Sequence, residues 1–115
     1  MIDWDHANPG DPIDDVAYLV AYAAPLCPDD VATTWMRHPG VPDRRHRLRV
    51  LAGAYGTPTD GLVDRAADVL AKTNRTVARM AAAGLEPQRS WVEAGRLRLF
   101  VQRQEWIVAH RGDLV

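Results

Sequence analysis

Apolar residues recur at steps of three and four along most of this chain, and no segment alternates between apolar and polar residues over any length. Such steps place side chains on one face of an α-helix, whereas a half-buried strand alternates at every second residue. The clearest repeat runs from Thr59 to Gly84. It comprises Leu62, Val63, Ala66, Val69, Leu70, Val77 and Met80. The pattern therefore predicts a mainly α fold that includes one long helix.

Proline, glycine and capping residues divide the remainder of the chain into further helices. Asp11 suits the N-cap of a helix and Pro12 its first position, where a missing N–H costs nothing. Gly56 suits the residue after a helix, where a left-handed conformation is common. These signals predict about five helices, over 12–24, 29–37, 43–55, 59–84 and 87–111, after a short N-terminal strand at 1–4. The last two helices should form an antiparallel hairpin.

The length and composition of the chain fit a single globular domain. A net charge of −1 over 115 residues gives no reason to expect nucleic acid or an anionic membrane as a partner. No apolar run is long enough to span a bilayer, and Asp3, Asp5 and His6 interrupt any signal-peptide core. The single cysteine, Cys27, excludes an intramolecular disulfide. We therefore expect a cytoplasmic protein in which Cys27 is structural.

The N-terminal seventeen residues hold the most specific pattern in the chain. Ile2-Asp3-Trp4 is followed by a short polar turn, then by Gly10-Asp11-Pro12 and a helix start that contains Asp15. Magnesium prefers hard oxygen ligands and often uses one or two carboxylates together with phosphates and water. A carboxylate at a strand end, held by the bulky neighbour Trp4, suits a magnesium ligand. The pattern favours Asp3 for that role.

This segment resembles the metal-binding segment of the aminoglycoside phosphotransferase family of kinase-like enzymes. The resemblance implies that Asp3 binds Mg²⁺ and that ATP is the phosphate donor. It also implies a positioning role for Asp15, the last acid of the Gly-Asp-Pro-x-x-Asp pattern, which in the family starts a helix and braces the catalytic loop by accepting backbone hydrogen bonds. Here Val16-Ala17 replaces the family's usual Leu-Ala.

Further along the chain the resemblance is looser, although it extends over nearly all 115 residues. The stretch from Arg47 to Gly56 is similar to an Arg-Leu…Ala-Tyr-Gly helix end of the family, and the last two helices are similar to its C-terminal helical lobe. The resemblance implies that residues 1–115 form a single partial domain, the C-terminal helical lobe. A parent enzyme would transfer the γ-phosphate of ATP to a hydroxyl or amine of a small-molecule acceptor.

Two parts of the family's machinery find no match in the sequence. The family's catalytic loop reads His-Gly-Asp with an Asn five residues after the Asp, and it precedes the Ile-Asp-Trp segment. His110-Arg111-Gly112-Asp113 has an extra arginine and is interpreted as the end of the last helix. The ATP-gripping N-terminal lobe also has no counterpart. We therefore expect the 115 residues to lack kinase activity by themselves, because phosphoryl transfer depends on several charges positioned together.

Other interpretations of the same residues stay open. Taken singly, Asp3 could be a solvated acid, and Asp11 and Asp15 could be ordinary capping or first-turn acids favoured by the helix dipole. The second functional hypothesis is a helical interaction module. Apolar surface on the first helix and the strand would then be covered by self-association as a homodimer, or by a separately encoded N-terminal half that completes the enzyme.

Several conspicuous residues are predicted to have no catalytic role. The four histidines show no metal-ligand spacing. The arginine-rich run over 44–49 is interpreted as a solvated helix face rather than an anion site. The four tryptophans, at positions 4, 35, 91 and 106, are interpreted as core anchors rather than ligand-stacking rings.

Overall fold

The computed structural model describes residues 12–115, and this part of the chain is helical with no strand. In chain order the helices are α1 (Pro12–Ala23), α2 (Asp29–Thr34), α3 (Arg44–Tyr55), α4 (Thr59–Ala82), α5 (Gln88–Glu93), α6 (Arg96–Ala109) and α7 (Arg111–Leu114). The predicted mainly α fold is thereby confirmed. The strand predicted at 1–4 lies outside the described residues.

The first four predicted helices agree closely with the observed ones, and their ends have the expected causes. Asp43 caps α3 by accepting a hydrogen bond from the backbone N–H of His46, at 3.1 Å. Gly56 ends α3 in the left-handed conformation, with φ of 68°, which glycine adopts without a Cβ penalty. α2 ends three residues before the predicted position 37, because Arg37 itself adopts a positive φ of 54°.

The prediction of one continuous fifth helix is wrong. Gly95 has a φ of 81°, a left-handed conformation that ends α5 and sets the entry to α6. His110, with φ of −103° and ψ of 9°, separates α6 from the short α7. The prediction had one long helix paired with α4 in a hairpin. The structure has three consecutive helices there, and each of them packs against α4.

The core is organised around α4, which contacts α1, α3, α5, α6 and α7. The predicted apolar stripe of α4 is largely confirmed: Leu62, Val63, Ala66, Leu70 and Val77 are buried, whereas Val69 and Met80 are half-buried. Opposite the stripe lie buried residues of the neighbouring helices, namely Ala17, Val20, Ala21, Leu48, Ala52, Ile107 and Leu114. α4 contacts both α1 and α6, and Arg103 of α6 also reaches α1 directly, through a hydrogen bond to the carbonyl of Ala21.

Within the described part of the chain, no helix is both long and apolar enough to cross a bilayer.

Candidate functional site

A cavity of about 180 Å³ lies where α1, α4, α5 and α6 meet. Its walls carry four aromatic rings from three helices: Tyr18 and Tyr22 on α1, Trp91 on α5 and Phe100 on α6. Four-residue spacing puts the two tyrosines on one face of α1, with ring centroids 5.3 Å apart and hydroxyl oxygens 3.3 Å apart. The α4 side adds Leu70 and Val77. Six of the nine residues that line the cavity are therefore aromatic or aliphatic.

Three polar side chains also line the cavity: Thr73 and Asn74 on α4, and Arg103 on α6. Arg103 is only 9% exposed. Its Nη2 donates a hydrogen bond of 2.8 Å to the carbonyl of Ala21, in the last turn of α1. Its guanidinium carbon lies 4.0 Å from the centroid of the Tyr22 ring. A cation at a helix C-terminus is favoured by the helix dipole and by free carbonyls.

The Arg103 guanidinium is not fully hydrogen-bonded within residues 12–115. Its Nε is buried and has no hydrogen-bond partner in the described structure. Among the residues that line the cavity in the described chain there is no aspartate or glutamate. The positive charge of Arg103 is therefore offset by a carbonyl and an aromatic face, and by no carboxylate of residues 12–115.

A second, shallower depression lies between the start of α2, the start of α3 and the C-terminal helices. Its two arginines, Arg44 and Arg45, already donate to backbone carbonyls. Arg44 donates from Nε to the carbonyl of Pro25 at 2.8 Å and from Nη2 to that of Cys27 at 2.7 Å. Its Nη1 lies 2.8 Å from a carboxylate oxygen of Asp29, and its guanidinium covers the ring of Trp106 at 4.8 Å. This arrangement joins the α1–α2 connection to α3.

The predicted solvated face over 44–49 is thus correct for its polar residues except Arg44. Arg45, His46, Arg47 and Arg49 are exposed, whereas the Arg44 side chain is 11% exposed and donates to backbone carbonyls. Arg47 donates to the carbonyl of Ala23 at 3.2 Å, and Arg45 to that of Val115 at 3.3 Å. The run supplies donors for backbone carbonyls rather than an anion site.

Cys27 is structural, as expected. The thiol is buried beside the sulfur of Met36, at 3.7 Å. Burial raises the pKa of the Cys27 thiol above its ordinary value, although the nearby cations Arg103 and Arg44 act in the opposite direction. The raised pKa favours the protonated thiol, which is a poor nucleophile and a poor metal ligand.

Of the two acids singled out from the sequence, Asp3 lies outside the described residues. Asp15 is exposed in the first turn of α1. The segment that it is expected to brace precedes Pro12, so its positioning role stays a prediction. Its neighbour Asp14 instead forms an ion pair with Arg65 on α4, at 3.2 Å. Within residues 12–115 no group of three histidine, cysteine or acidic side chains is arranged to hold a metal ion.

The interpretation of the tryptophans as core anchors holds for one of the three described. Trp106 packs against the core, while Trp91 lines the aromatic cavity. Trp35, at the C-terminal end of α2, is 73% exposed and is not part of the core. Trp4 lies outside the described residues.

Sequence reasoning missed the cavity, yet two signals for it are present. Tyr18 and Tyr22 are spaced as a pair on one helix face. Arg103 lies at helical spacing between Phe100 and Ile107, so a charge interrupts the apolar stripe of α6. A cation inside an apolar stripe indicates a buried partner or a site.

Comparison with protein families, curated proteins and solved structures finds no significant match to this chain.

Proposed function

We propose that this chain carries the metal-binding aspartate and the helical acceptor side of an ATP-dependent small-molecule phosphotransferase of the aminoglycoside phosphotransferase type. The observation that carries the proposal is the ordered string Ile2-Asp3-Trp4, Gly10-Asp11-Pro12 and Asp15. A helix beginning at Pro12, where the pattern requires one, supports it. So does the helical organisation of the residues that follow.

Asp3 is the proposed magnesium ligand. Its carboxylate is the hard oxygen donor that Mg²⁺ prefers, and phosphate oxygens and water commonly complete the coordination of this ion. When bound with ATP, magnesium neutralises the charge on the phosphate oxygens. Asp15 lies in the first turn of α1 and is exposed. We propose that its carboxylate accepts backbone N–H hydrogen bonds and so braces the catalytic loop of the parent enzyme, as the resemblance implies.

A titration of the 115-residue chain with Mg-ATP by calorimetry tests the role of Asp3. We expect saturable, magnesium-dependent binding that is at least about tenfold weaker in Asp3→Asn, because the amide is neutral and a poorer ligand for Mg²⁺. Asp5→Asn is the matched control, since it removes the same charge two residues further along. Equal binding by Asp3→Asn and the unchanged chain contradicts the proposal, and so does the absence of any binding.

A second candidate function, self-association of a helical module, is favoured by the apolar surface that the helices expose. Trp35 is 73% exposed, Val41 follows it in the next loop and is also exposed, and Leu19 on α1 is half-exposed. Aromatic side chains of this kind dominate the energy of protein interfaces.

Sedimentation velocity over a range of concentrations tests this second candidate. We expect a concentration-dependent dimer whose dissociation constant rises at least about tenfold in Trp35→Ser, because an aromatic anchor is lost. Val108→Ser, at an exposed position of α6, is the control and should leave the dimer unchanged. A chain that stays monomeric at high concentration excludes the homodimer.

A further inference from the structure

We propose that the cavity between α1, α4, α5 and α6 binds a small aromatic carboxylate of a single ring, with its anion on Arg103 and its ring against the aromatic walls. Binding of such a ligand stands independently of the phosphotransferase proposal, and only its use as a phosphate acceptor rests on that proposal. The charge of the cavity, the shape of its walls and its volume each restrict which ligands it can bind.

The charge of the cavity selects an anion. Arg103 is nine-tenths buried, and its Nε has no acceptor in the described structure. Burial of a charge is costly unless the charge is paired, and hydrogen bonds between a guanidinium and a carboxylate are among the strong ones. No carboxylate of residues 12–115 lines the cavity. A cationic ligand would meet the positive charge of Arg103 there, so amines and aminoglycosides are poor candidates.

The walls of the cavity select a planar ring. Tyr18, Tyr22, Trp91 and Phe100 present aromatic surface from three directions, and aromatic rings pack well in offset or edge-to-face arrangements. Thr73 and Asn74 lie on the α4 side. Their side chains can hydrogen-bond a hydroxyl on the ring. The tyrosine ring that covers Arg103 also places the anion site next to the ring site.

The volume sets the size of the ligand. An apolar cavity of about 150 Å³ in another protein holds benzene, and this cavity measures about 180 Å³. The space therefore accommodates one benzene ring with a carboxylate and a small substituent. A whole nucleotide or multi-ring sugar would not fit within this volume, since ordinary sites for drug-sized ligands exceed about 300 Å³.

The test is a titration of the 115-residue chain with benzoate, followed by NMR, with no magnesium or ATP present. We expect saturable shifts of the side-chain resonances of Trp91, Phe100 and Tyr22. Benzylamine, which has a similar shape and the opposite charge, should bind at least about tenfold more weakly. Acetate, which lacks the ring, should also bind more weakly. If benzylamine binds as tightly as benzoate, Arg103 does not select the anion. If acetate binds as tightly as benzoate, the aromatic walls do not contribute to binding.

Two arginine variants on α6 locate the anion. Arg103→Met keeps an unbranched side chain that reaches about as far as the arginine Nε, and it removes the charge, so benzoate affinity should fall at least about tenfold. Arg98→Met, at an exposed position of the same helix, is the control and should bind benzoate as before. Benzoate affinity unchanged in Arg103→Met overturns the proposal, as does the absence of saturation in the unchanged chain.

A third variant covers the case in which Arg103→Met does not fold, since Arg103 also holds the end of α1. Trp91→Leu keeps the charge of the cavity and removes one aromatic wall from a half-buried position. We expect weaker binding of benzoate with its preference over benzylamine retained. Benzoate binding that is unaffected by Trp91→Leu places the ligand elsewhere and overturns the assignment. Because ATP is absent throughout, failure of this site and failure of the Asp3 experiment are separate results.

Discussion

Leu62→Ala is expected to lower the free energy of unfolding by about 3 kcal/mol, the middle of the range for truncation of a buried leucine. Leu62 lies in α4, is 1% exposed and belongs to the main core cluster. Truncation removes the transfer free energy of the lost atoms and leaves a cavity that the surrounding helices close only in part. The loss is large for a small domain, because total stabilities are typically about 5–15 kcal/mol. Urea denaturation followed by far-UV circular dichroism measures the change.

Leu99→Ala is the matched control for Leu62→Ala. Leu99 lies on α6 and is 43% exposed, so the same truncation removes much less buried surface. We expect a loss below about 1 kcal/mol. Similar losses for the two variants would mean that α4 is not the centre of the core.

The second large effect is expected from Arg44→Ala, which should lower the free energy of unfolding by about 3 kcal/mol. Arg44 is the donor to the carbonyls of Pro25 and Cys27, both in buried residues. The Cys27 carbonyl loses its donor, and a buried carbonyl left in this way costs about 1–3 kcal/mol. The Pro25 carbonyl keeps the N–H of Cys27 at 2.8 Å, so the lost hydrogen bond there adds about 1 kcal/mol. The ion pair with the exposed carboxylate of Asp29 adds little to this sum. Urea denaturation of the variant gives the value.

Two further variants test whether the planar guanidinium of Arg44 or its positive charge contributes the stability. Arg44→Lys keeps the charge and loses the planar fork, so we expect it to recover less than half of the stability. Arg49→Ala removes an exposed arginine of the same helix and should change stability by about 0.5 kcal/mol or less. A lysine that fully replaces Arg44 would show that charge alone matters there.

Helices α1 to α4 are predicted well from the sequence because residues that favour the start or the end of a helix lie at their boundaries. Pro12 begins α1, Asp43 caps α3 and Gly56 ends it. The break at Gly95 escapes the pattern because apolar residues continue at helical spacing on both sides of it, from Trp91 and Val92 to Leu97. A glycine inside a helical pattern can be tolerated, so only the observed φ of 81° decides the matter.

The candidate sites also differ in how far a local sequence pattern can predict them. The Asp3 and Asp15 motif is local, so a short stretch of neighbouring residues is enough to suggest it. The role of Arg44 could not be separated by pattern from that of Arg45 or Arg49, because tertiary packing decides which carbonyls need donors. The aromatic cavity needs side chains from four helices, up to 85 positions apart between Tyr18 and Arg103 (103 − 18). No local pattern specifies which of them face one another.

The central place of α4 has a consequence for how the domain opens. Because α4 packs against five of the other helices, its backbone hydrogen bonds break only when the whole core comes apart. α2 has six residues, of which only Ala32 is buried, and it is joined to α3 through Arg44 and Asp29. The domain therefore has a graded stability, in which α2 can unfold by itself while α4 holds the remaining helices together.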